Sequence, residues 1–317
     1  MPKSKRYQLI TRSDMDGLVC GVILKTLDLI DRVAFVHPKD VQDGKVPVTA
    51  SDITTNVPFV ETAHLAFDHH HSETLRVSGA HPNHIIDAAA DSAARVVYRY
   101  FGGRQALPSV SEPMLAAVDK ADSARYTLED VLLPSGWELL SFLMDPRTGL
   151  GRFRRFTVSN YDLMMRLIDH CRDHTIEEIL DLPDVVERVE LYFDHHDKFI
   201  AQLCRCTTRF GNVGVVDLRE EDPIYAGNRF MVYALQPQIN LSIHVLWGHE
   251  RRNTVFAVGK SIFNTSSFVD IGTRMLARGG GGHPGAGTCQ IPNDEAASVL
   301  AELIDELKDQ PAARIAS

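Results

Sequence analysis

An Asp-His-His-His run at residues 68–71 carries the most chemically distinctive side chains of this 317-residue sequence. It follows a short alternating apolar run, residues 64–67, which predicts a β-strand. Side chains that follow a strand of an open α/β sheet lie at the edge where such sheets build their sites. Imidazole nitrogens beside carboxylate oxygens suit Mn²⁺, Zn²⁺ or Fe²⁺ better than Ca²⁺. A histidine-rich surface turn is the alternative, and the run alone does not decide between the two.

A second acidic group, Asp14 and Asp16, lies between a predicted strand at residues 7–11 and a predicted helix at residues 17–30. Two carboxylates two residues apart at such a turn can face one cation. The alternative is an acidic turn in which an Asp caps the helix. An EF-hand is excluded, because Lys25 stands where a bidentate Glu is required.

Two further acids extend the pattern. A third strand, predicted around residues 46–50, ends at Asp52, and the next strand leads into Asp68. A second strand is predicted at residues 33–36, and acids that follow three of these four strands are expected to converge on one site. A helix predicted from Glu112 ends near Asp122, which could deliver one more carboxylate to it.

The sequence repeats the Asp-His-His triplet at residues 194–196. There the apolar residues Val185, Val189, Tyr192 and Phe199 follow helical spacing, and no strands that end in acids accompany them. On a helix, three consecutive side chains point in different directions. We therefore interpret the second triplet as structural rather than as a metal site.

Near the C-terminus, glycines surround His283 in the sequence Gly-Gly-Gly-Gly-His-Pro-Gly-Ala-Gly, residues 279–287. Glycines let backbone N–H groups approach an anion closely, and the histidine can donate to it. A flexible loop is the alternative. We expect this segment to bind a phosphate.

The order of elements predicts a two-domain α/β protein with a parallel sheet in the first domain and a smaller α/β domain at the C-terminus. The predicted domains are a metal-binding domain at 1–165, a helical connector at 166–209 and a substrate-binding domain at 210–317. Further strands are predicted at 213–217, 239–246 and 254–258, and further helices at 91–98, 137–144, 161–171, 176–203, 269–277 and 293–308.

Composition limits the function. The net charge of −9 argues against a broad duplex-DNA surface, although a bound metal would still allow a small anionic substrate. The five cysteines form no CxxC pair and are odd in number, so we expect no disulfide framework. We find no signal-peptide core and no apolar run of membrane-spanning length, and we expect a cytoplasmic protein without a membrane partner.

The order of these motifs resembles the DHH phosphoesterase family. The matching residues are Asp14 and Asp16, Asp52, Asp68-His69-His70, Asp122 and Gly280-Gly281-Gly282-His283. The resemblance covers residues 1–165 and 210–310 and points to the DHH/DHHA1 branch, which contains oligonucleotide-degrading enzymes, nucleotide phosphatases and exopolyphosphatase-like proteins.

The resemblance implies metal-dependent hydrolysis at two Mn²⁺ ions, with Mg²⁺ or Co²⁺ as alternatives, and a substrate held between the domains. Asp52 would bridge the ions; Asp16, His69 and Asp122 would complete one shell, and Asp14 would serve the other. His70 would touch the scissile phosphate and Asp68 would orient its neighbours. Paired metals can activate water and neutralise phosphoryl oxygens, so no covalent nucleophile is needed.

Other residues are candidates for substrate binding. The C-terminal candidates are Asn228, Arg229, Lys260, Ser261, Gly281, Gly282 and His283. In the first domain Arg12 stands close to where the family carries a metal-binding His, and a guanidinium cannot ligate a metal. One or two ions are therefore expected.

We predict a phosphoesterase that hydrolyses a phosphoester or phosphoanhydride bond in a short nucleotide or single-stranded oligonucleotide, with a homodimer left open. An exopolyphosphatase-like hydrolase is one alternative. A degenerate, non-hydrolytic phosphate- or nucleotide-binding protein is the other, because the first-motif His is missing.

Overall fold

The structure is a computed structural model that describes residues 6–308. The chain divides into two compact units, Met1–Tyr192 and Phe193–Ser317. The division falls within one long helix, Pro183–Cys206. The three-part organisation into 1–165, 166–209 and 210–317 stays a prediction.

The first unit alternates strands and helices in its first half and is helical afterwards. Its strands are β1 (Tyr7–Arg12), β2 (Ile30–Val36), β3 (Asp52–Thr55), β4 (Leu65–Asp68) and β5 (His84–Ile86). Its helices are α1 (Met15–Thr26), α2 (Pro38–Gln42), α3 (His71–Arg76), α4 (Ala93–Tyr100), α5 (Gly103–Ala106), α6 (Glu112–Asp122), α7 (Leu128–Leu132), α8 (Gly136–Met144), α9 (Asn160–Asp173), α10 (Ile176–Leu180) and α11 (Pro183–Cys206), with 3₁₀ turns at Pro146–Thr148 and Leu150–Arg152.

The five strands of the first unit form one sheet in the order β2-β1-β3-β4-β5, and every pairing in it is parallel. The predicted parallel α/β architecture is therefore confirmed. Between β1 and β3, Thr55 Oγ1 donates to Thr11 Oγ1 at 2.7 Å, and Thr11 Oγ1 donates to the Thr55 carbonyl at 3.0 Å. Because parallel strands share a direction, the segments that follow β1, β3 and β4 leave the sheet at one edge.

Helix α1 is shorter than the predicted helix, and it is buried over most of its length. It ends at Thr26, because Asp28 adopts a left-handed conformation (φ 56°) and the chain turns so that Ile30 begins β2. All of its residues from Met15 to Leu24 are buried, not only one face. A helix that is apolar all round is enclosed by neighbours on every side.

The tight turn into α1 depends on Gly17. A Cβ at this position would lie 2.1 Å from the Arg12 carbonyl oxygen and 2.6 Å from Thr11 Oγ1. The N–H of Gly17 donates to Asp14 Oδ1 at 3.0 Å, so Asp14 caps the helix. Asp14 is therefore a helix cap, as the alternative for this turn predicted, and it also belongs to the group of acids described below.

The predicted third strand is wrong. Residues 46–50 form no strand, and β3 instead begins at Asp52. Asp52 pairs in register with Gln8, near the start of β1. Asp52 consequently lies at the amino end of its strand rather than after the carboxyl end.

The second unit is built on a mixed sheet. Its strands are β6 (Thr207–Phe210), β7 (Val213–Asp217), β8 (Leu241–Trp247), β9 (Thr254–Lys260), β10 (Gly281–His283) and β11 (Ala286–Ile291). Its helices are α12 (Met231–Leu235), α13 (Ile271–Leu276) and α14 (Ala296–Leu307), with a 3₁₀ turn at His249–Arg251. The sheet order is β10-β11-β9-β8-β7-β6, and β7-β8 is its parallel pair.

The core of this unit lies between the sheet and its helices. Ile243 and Phe256 of the central strands pack in one buried cluster with Met275 of α13 and Leu303 of α14. The glycine segment is not the flexible loop given as the alternative, since Gly281–His283 forms an edge strand paired with β11.

All five cysteines are free, and Cys20, Cys171 and Cys289 are buried. Within residues 6–308 we find no helix that combines the length and the apolar character needed to cross a bilayer.

Candidate metal and active site

Polar side chains gather at the carboxyl edge of the parallel sheet, from the turns after β1, β3 and β4 and from the end of α6. They are Asp14, Asp16, Asn56, Asp68, His69, His70 and Asp122. The possible ligand atoms of Asp16, His69 and Asp122 all lie within 4.8 Å of one another. The same holds for Asp68, His69 and His70, so His69 belongs to both groups.

His69 is held with one ring nitrogen towards the acids. Its Nδ1 lies 3.2 Å from the Ala90 carbonyl, which accepts from a protonated Nδ1. Its Nε2 lies 2.7 Å from Asp122 Oδ2, yet among the described residues this buried nitrogen makes no well-aligned hydrogen bond. Burial disfavours the imidazolium, but Asp122 and Asp16 outweigh burial and raise the pKa of His69 to about 9.

Asp16 joins the site to the start of α4. Its Oδ2 accepts from the N–H of Ala93 at 3.0 Å, and its Oδ1 accepts from the N–H of Ala94 at 2.7 Å. Burial, and then the charge of Asp122, raise the pKa of Asp16 to about 7. A carboxyl group with this pKa gains from any positive charge placed beside it.

Asp14 faces a cation of the chain itself. Arg12 Nε lies 3.0 Å from Asp14 Oδ2, and Asn56 Nδ2 lies 3.3 Å from Oδ1. Burial raises the pKa of Asp14, and the Arg12 charge opposes that rise. Burial also tends to raise the pKa of Asp122. The neighbouring His69 outweighs burial, so the net pKa of Asp122 is lowered.

Asp68 fixes the two histidines that follow it. Its Oδ1 accepts from the backbone N–H of His69 at 2.7 Å and lies 2.7 Å from His70 Nδ1. This partner places the proton on Nδ1 of His70, so Nε2 is the nitrogen at the other side of the ring. Burial lowers the pKa of His70, but Asp68 outweighs it and the net pKa is raised.

Asp52, predicted to bridge two ions, does not join this group. Its Oδ2 accepts from the N–H and from the hydroxyl of Thr49, both at 2.7 Å. It begins β3, and successive strand residues span about 3.3 Å each, so three further residues separate it from the carboxyl edge. The strand predicted at residues 46–50 is absent, so Asp52 begins β3 instead of following a strand, and its bridging role stays a prediction.

One residue at this edge was missed from the sequence. Asn56 directly follows β3, and the signal for it was the β-branched run Ile-Thr-Thr at residues 53–55. Arg147 carried no motif either. Its half-exposed side chain forms an ion pair with Asp145 at 2.7 Å, and the charges of Asp14 and Asp122 also favour its charged form.

A cavity of about 140 Å³ is lined in part by Ser13, the residue before Asp14. Its lining combines the apolar Leu143, Leu150 and Met164 and the aromatic ring of Tyr161 with polar side chains, among them that of Asp145. Cavities that enclose whole drug-sized ligands measure about 300–1,000 Å³, so this one suits a single ring system.

Comparison with solved structures places this site in a known family. A pGpG-specific phosphodiesterase, PggH from Vibrio cholerae, is 56% identical over 95% of this chain and 99% of that chain, with a TM-score of 0.82. The chain belongs to the DHH phosphoesterase family. It is therefore a hydrolase of phosphoester bonds, as the motifs predicted.

Two other structures are more distant from this DHH chain. CDC45 from Entamoeba histolytica is 9% identical, with a TM-score of 0.49, over 95% of each chain. RecJ from Thermus thermophilus in complex with Mn²⁺ is 16% identical, with a TM-score of 0.46, over 96% of this chain and 52% of that chain. Neither carries any argument below. No protein-family model and no curated protein matches the chain.

The residues at the edge fit the divalent metal ion that the DHH family implies. His69 presents a buried Nε2 that makes no hydrogen bond within the described part of the chain, while the Ala90 carbonyl fixes the other side of its ring. Metal-binding histidines are oriented in this way by a second partner. Asp16 and Asp122 supply the carboxylate oxygens, so one ion would be held by these three residues.

Beside Asp14 the chain carries a positive charge. The guanidinium of Arg12 contacts the Asp14 carboxylate, and the role of Arg12 in place of the histidine expected from the resemblance stays a prediction. A fixed guanidinium can bind phosphate oxygens in a bidentate fork but cannot ligate a metal.

In the second unit the structure brings Lys260 and the glycine segment together. The N–H of Lys260 donates to the Gly285 carbonyl at 2.9 Å, and His283 is exposed on the neighbouring edge strand. Gly282 has no room for a side chain, because a Cβ there would lie 2.3 Å from the Ala286 carbonyl oxygen. Gly281, by contrast, faces open space.

The remaining candidates of the second unit serve local structure. Ser261 is buried, and its Oγ accepts from the N–H of Asn264 at 2.9 Å. Asn228 is buried, and its Oδ1 accepts from the N–H of Phe230 at 3.1 Å. The guanidinium of Arg229 lies 4.5 Å from the centre of the Phe230 ring. Their binding of substrate stays a prediction.

The second Asp-His-His triplet lies on α11, as predicted. His195 is buried, and its Nδ1 accepts from the N–H of Ala226 at 3.1 Å. Asp194 forms an ion pair with Lys198 at 2.8 Å. These contacts explain the residues without a ligand, although their effect on metal binding stays a prediction.

Proposed function

We propose that this chain hydrolyses the phosphodiester bond of a linear dinucleotide of the pGpG type, with Mn²⁺ as its resident ion. The observation that carries the substrate is the 56% identity to PggH, a pGpG-specific phosphodiesterase, over 95% of the chain. The reaction consumes one water: the phosphorus–oxygen bond to one ribose breaks, the water oxygen joins phosphorus, and the released ribose oxygen takes a proton lost by that water and becomes a hydroxyl. Cleavage on the 3′-oxygen side yields two molecules of GMP.

The side chains at the sheet edge support these roles. A divalent ion held by Asp16, His69 and Asp122 would supply Lewis acidity and neutralise phosphoryl oxygens. His70, fixed through its Nδ1 by Asp68, would present Nε2 to a phosphoryl oxygen or to the leaving oxygen. Arg12 and Arg147 would add fixed positive charge towards the substrate's phosphates.

The cavity beside Ser13 favours a substrate with a base over inorganic polyphosphate. Its lining of Leu143, Leu150, Met164 and Tyr161 offers apolar and aromatic surface to a flat ring, whereas a polyphosphate chain would gain nothing from it. The volume of about 140 Å³ suits one nucleobase rather than a complete dinucleotide.

In the second unit, we propose that His283 and Lys260 bind a phosphate of the substrate, since both lie by the exposed edge strand Gly281–His283. The same proposal assigns metal binding to 1–165, a connecting role to 166–209 and substrate binding to 210–317. We place the reaction in the cytoplasm, where linear dinucleotides are available to a chain with five free cysteines.

The test is turnover by the purified full chain with Mn²⁺ or Mg²⁺. Substrates are pGpG, pApA, a cyclic dinucleotide, a 3′,5′-bisphosphate nucleotide and polyphosphate, with products resolved by chromatography. We expect pGpG to be converted to two GMP, faster than any other substrate. Preferential release of phosphate from polyphosphate would support the exopolyphosphatase alternative, and binding of pGpG without turnover would support the non-hydrolytic one.

A further inference from the structure

Residues 145–157 contain four arginines and a single acid, in a chain whose net charge is −9. The acid, Asp145, forms an ion pair with Arg147 at 2.7 Å. The other three arginines are exposed and form the arginine segment, Arg152, Arg154 and Arg155. Among the described residues, none of these three guanidinium groups forms an ion pair with a carboxylate. The arginine segment therefore concentrates positive charge that the protein itself does not neutralise.

The acids that follow the arginine segment in α9 and α11 have other partners. At the start of α9, Asp162 accepts from the Ser159 hydroxyl at 2.7 Å. On α11, Asp184 pairs with Arg166 at 2.6 Å, and Glu187 accepts from the N–H of Thr157 at 2.9 Å. Burial lowers the pKa of Arg152, and no carboxylate of the described residues opposes that change. An anion from outside the protein is therefore the partner that these guanidinium groups lack.

The arginine segment is anchored on both sides. Before it, Thr148 Oγ1 donates to the Phe142 carbonyl of α8 at 2.7 Å. After it, the ring centre of Phe156 lies 4.1 Å from the buried guanidinium of Arg188 on α11, whose Nη2 donates to the Val158 carbonyl at 2.6 Å. Because the backbone is held at both ends, binding an anion costs little ordering of the chain.

The cavity of about 140 Å³ adjoins the arginine segment. Leu150 and Gly151, the two residues before Arg152, line it, and so does Ser13, the residue before Asp14. A single ribose joins a nucleobase to its own 5′-phosphate, so a base held in the cavity brings that phosphate to the edge of the cavity. In the first nucleotide of pGpG this is the terminal phosphate, whereas the scissile phosphate follows on the 3′ side.

A terminal phosphate suits guanidinium groups better than an internal one does. A phosphomonoester carries about −1.5 to −2 charges at neutral pH, whereas a phosphodiester carries a single charge. A guanidinium binds two phosphate oxygens at once in a bidentate fork. The terminal phosphate is therefore the group by which an arginine-rich surface distinguishes pGpG from the same dinucleotide without it.

We propose that the arginine segment binds the terminal 5′-phosphate of the dinucleotide while the base of the same nucleotide occupies the cavity. The inference rests on the proposed function, because it takes pGpG as the substrate. It makes a free 5′-phosphate a condition for tight binding. A cyclic dinucleotide has no terminal phosphate, so the same arginines discriminate against it.

The test compares pGpG with GpG, which differ only in the terminal phosphate, on the full chain with Mn²⁺. For wild type, kcat/KM on pGpG should exceed that on GpG at least about tenfold, since charge-assisted hydrogen bonds are lost with the phosphate. Calorimetric binding of both dinucleotides without added metal makes the same comparison independently of turnover.

A triple variant with Arg152→Gln, Arg154→Gln and Arg155→Gln removes the charge and keeps side chains of similar polarity. Its KM for pGpG should rise at least about tenfold, while its KM for GpG changes less than about twofold and kcat on both is unchanged. The matching triple variant with Lys keeps the charge without the fork and should retain part of the preference. Arg104→Gln, which removes an exposed arginine of α5, is the control and should retain all of it.

Each failure has a separate meaning. If wild type does not distinguish pGpG from GpG, or if the Gln variant keeps the preference, the arginine segment does not bind the terminal phosphate and the proposed function stands. An equal loss on both dinucleotides also overturns the inference, because the segment then acts on the scissile phosphate or on the fold. If neither dinucleotide is hydrolysed, the proposed function fails. Tighter calorimetric binding of pGpG than of GpG, removed by the Gln variant, would still support the arginine segment.

Discussion

Asp68 Oδ1 lies 2.7 Å from Nδ1 of His70 and accepts, at the same time, the backbone N–H of His69. One carboxylate oxygen therefore sets both the ring tautomer of His70 and the start of the turn that carries the two histidines. Asp68 is 3% exposed, so little water competes for this oxygen.

Asp68→Asn should lower kcat on pGpG by about 10–100-fold, because the amide no longer holds the His70 ring by charge. The ion of Asp16, His69 and Asp122 should stay bound. The measurements are kcat, KM and Mn²⁺ content, with Asp43→Asn, an exposed carboxylate beside α2, as the control. Wild-type kcat in Asp68→Asn would show that this contact does not orient His70 for the reaction.

Asp122→Asn and Asp52→Asn should have different effects on Mn²⁺ binding, because the two residues lie at opposite edges of the sheet. Asp122 adjoins His69 Nε2, so its loss should weaken Mn²⁺ binding at least about tenfold and reduce turnover with it. Asp52 is engaged by Thr49 at the amino end of β3, so Asp52→Asn should lower stability by roughly 1 kcal/mol and leave Mn²⁺ affinity unchanged. Calorimetric titration of both variants checks this, and loss of an ion in Asp52→Asn would restore its predicted bridging role.

Substitutions in the second Asp-His-His triplet should change the stability of the fold and leave the number of bound metal ions unchanged. His195→Gln should lower the free energy of unfolding by about 1–2 kcal/mol, because the buried N–H of Ala226 loses its acceptor. His196→Gln, on a less buried face of α11, should change it little. Denaturant unfolding and Mn²⁺ counting on both variants provide the test. Loss of a bound ion in either would mean that the triplet is a metal site.

His283→Ala should raise KM for pGpG with unchanged Mn²⁺ content, because the exposed edge strand belongs to the second unit and the metal ligands to the first. Lys308→Ala, which removes an exposed cation of the second unit, is the control and should leave KM unchanged. A loss of Mn²⁺ in His283→Ala would contradict the separation of roles.

His244 on β8 should make the second unit sensitive to mild acid. Burial lowers the pKa of its ring from 6.5 to about 4, so between these values the unfolded chain binds a proton that the folded chain does not. The stabilisation is complete above about pH 6.5 and is lost as the pH falls towards 4, by at most about 3 kcal/mol. His244→Phe should flatten the dependence of unfolding free energy on pH, and His249→Gln, which changes an exposed ring, should retain it. An unchanged slope in His244→Phe would assign acid sensitivity to other groups.

The sequence predicted the Asp68 group well because its strand is short, alternating and directly followed by the histidines. Asp16 and Asp122 were predicted as ligands only through the order of motifs, since no local pattern shows that a turn and a distant helix end will meet. The apolar pattern likewise predicted the parallel sheet. It could not show that Met15–Leu24 is buried on every side, because that depends on which helices surround it.

Asp52 shows where pattern reasoning stops. The run at residues 46–50 and the run Asp52–Thr55 both resemble short strands, and only the second finds partners in β1 and β4. Because the predicted strand lay a few residues too early, Asp52 was assigned to the carboxyl edge of the sheet, although it lies at the amino edge. The same error hid the fact that Asn56 is the residue that follows β3. The strand in the glycine segment could not be predicted for a related reason, since Gly281–His283 forms a strand by pairing with β11.

Gly17 limits which residues the turn between β1 and α1 can contain. Any larger residue there would collide with the Arg12 carbonyl and displace the N–H that Asp14 accepts. A substitution of Gly17 would therefore disturb the active site, although glycine has no side chain that could take part in the reaction. The position of the Asp14 carboxylate therefore depends on a residue that has no side chain of its own.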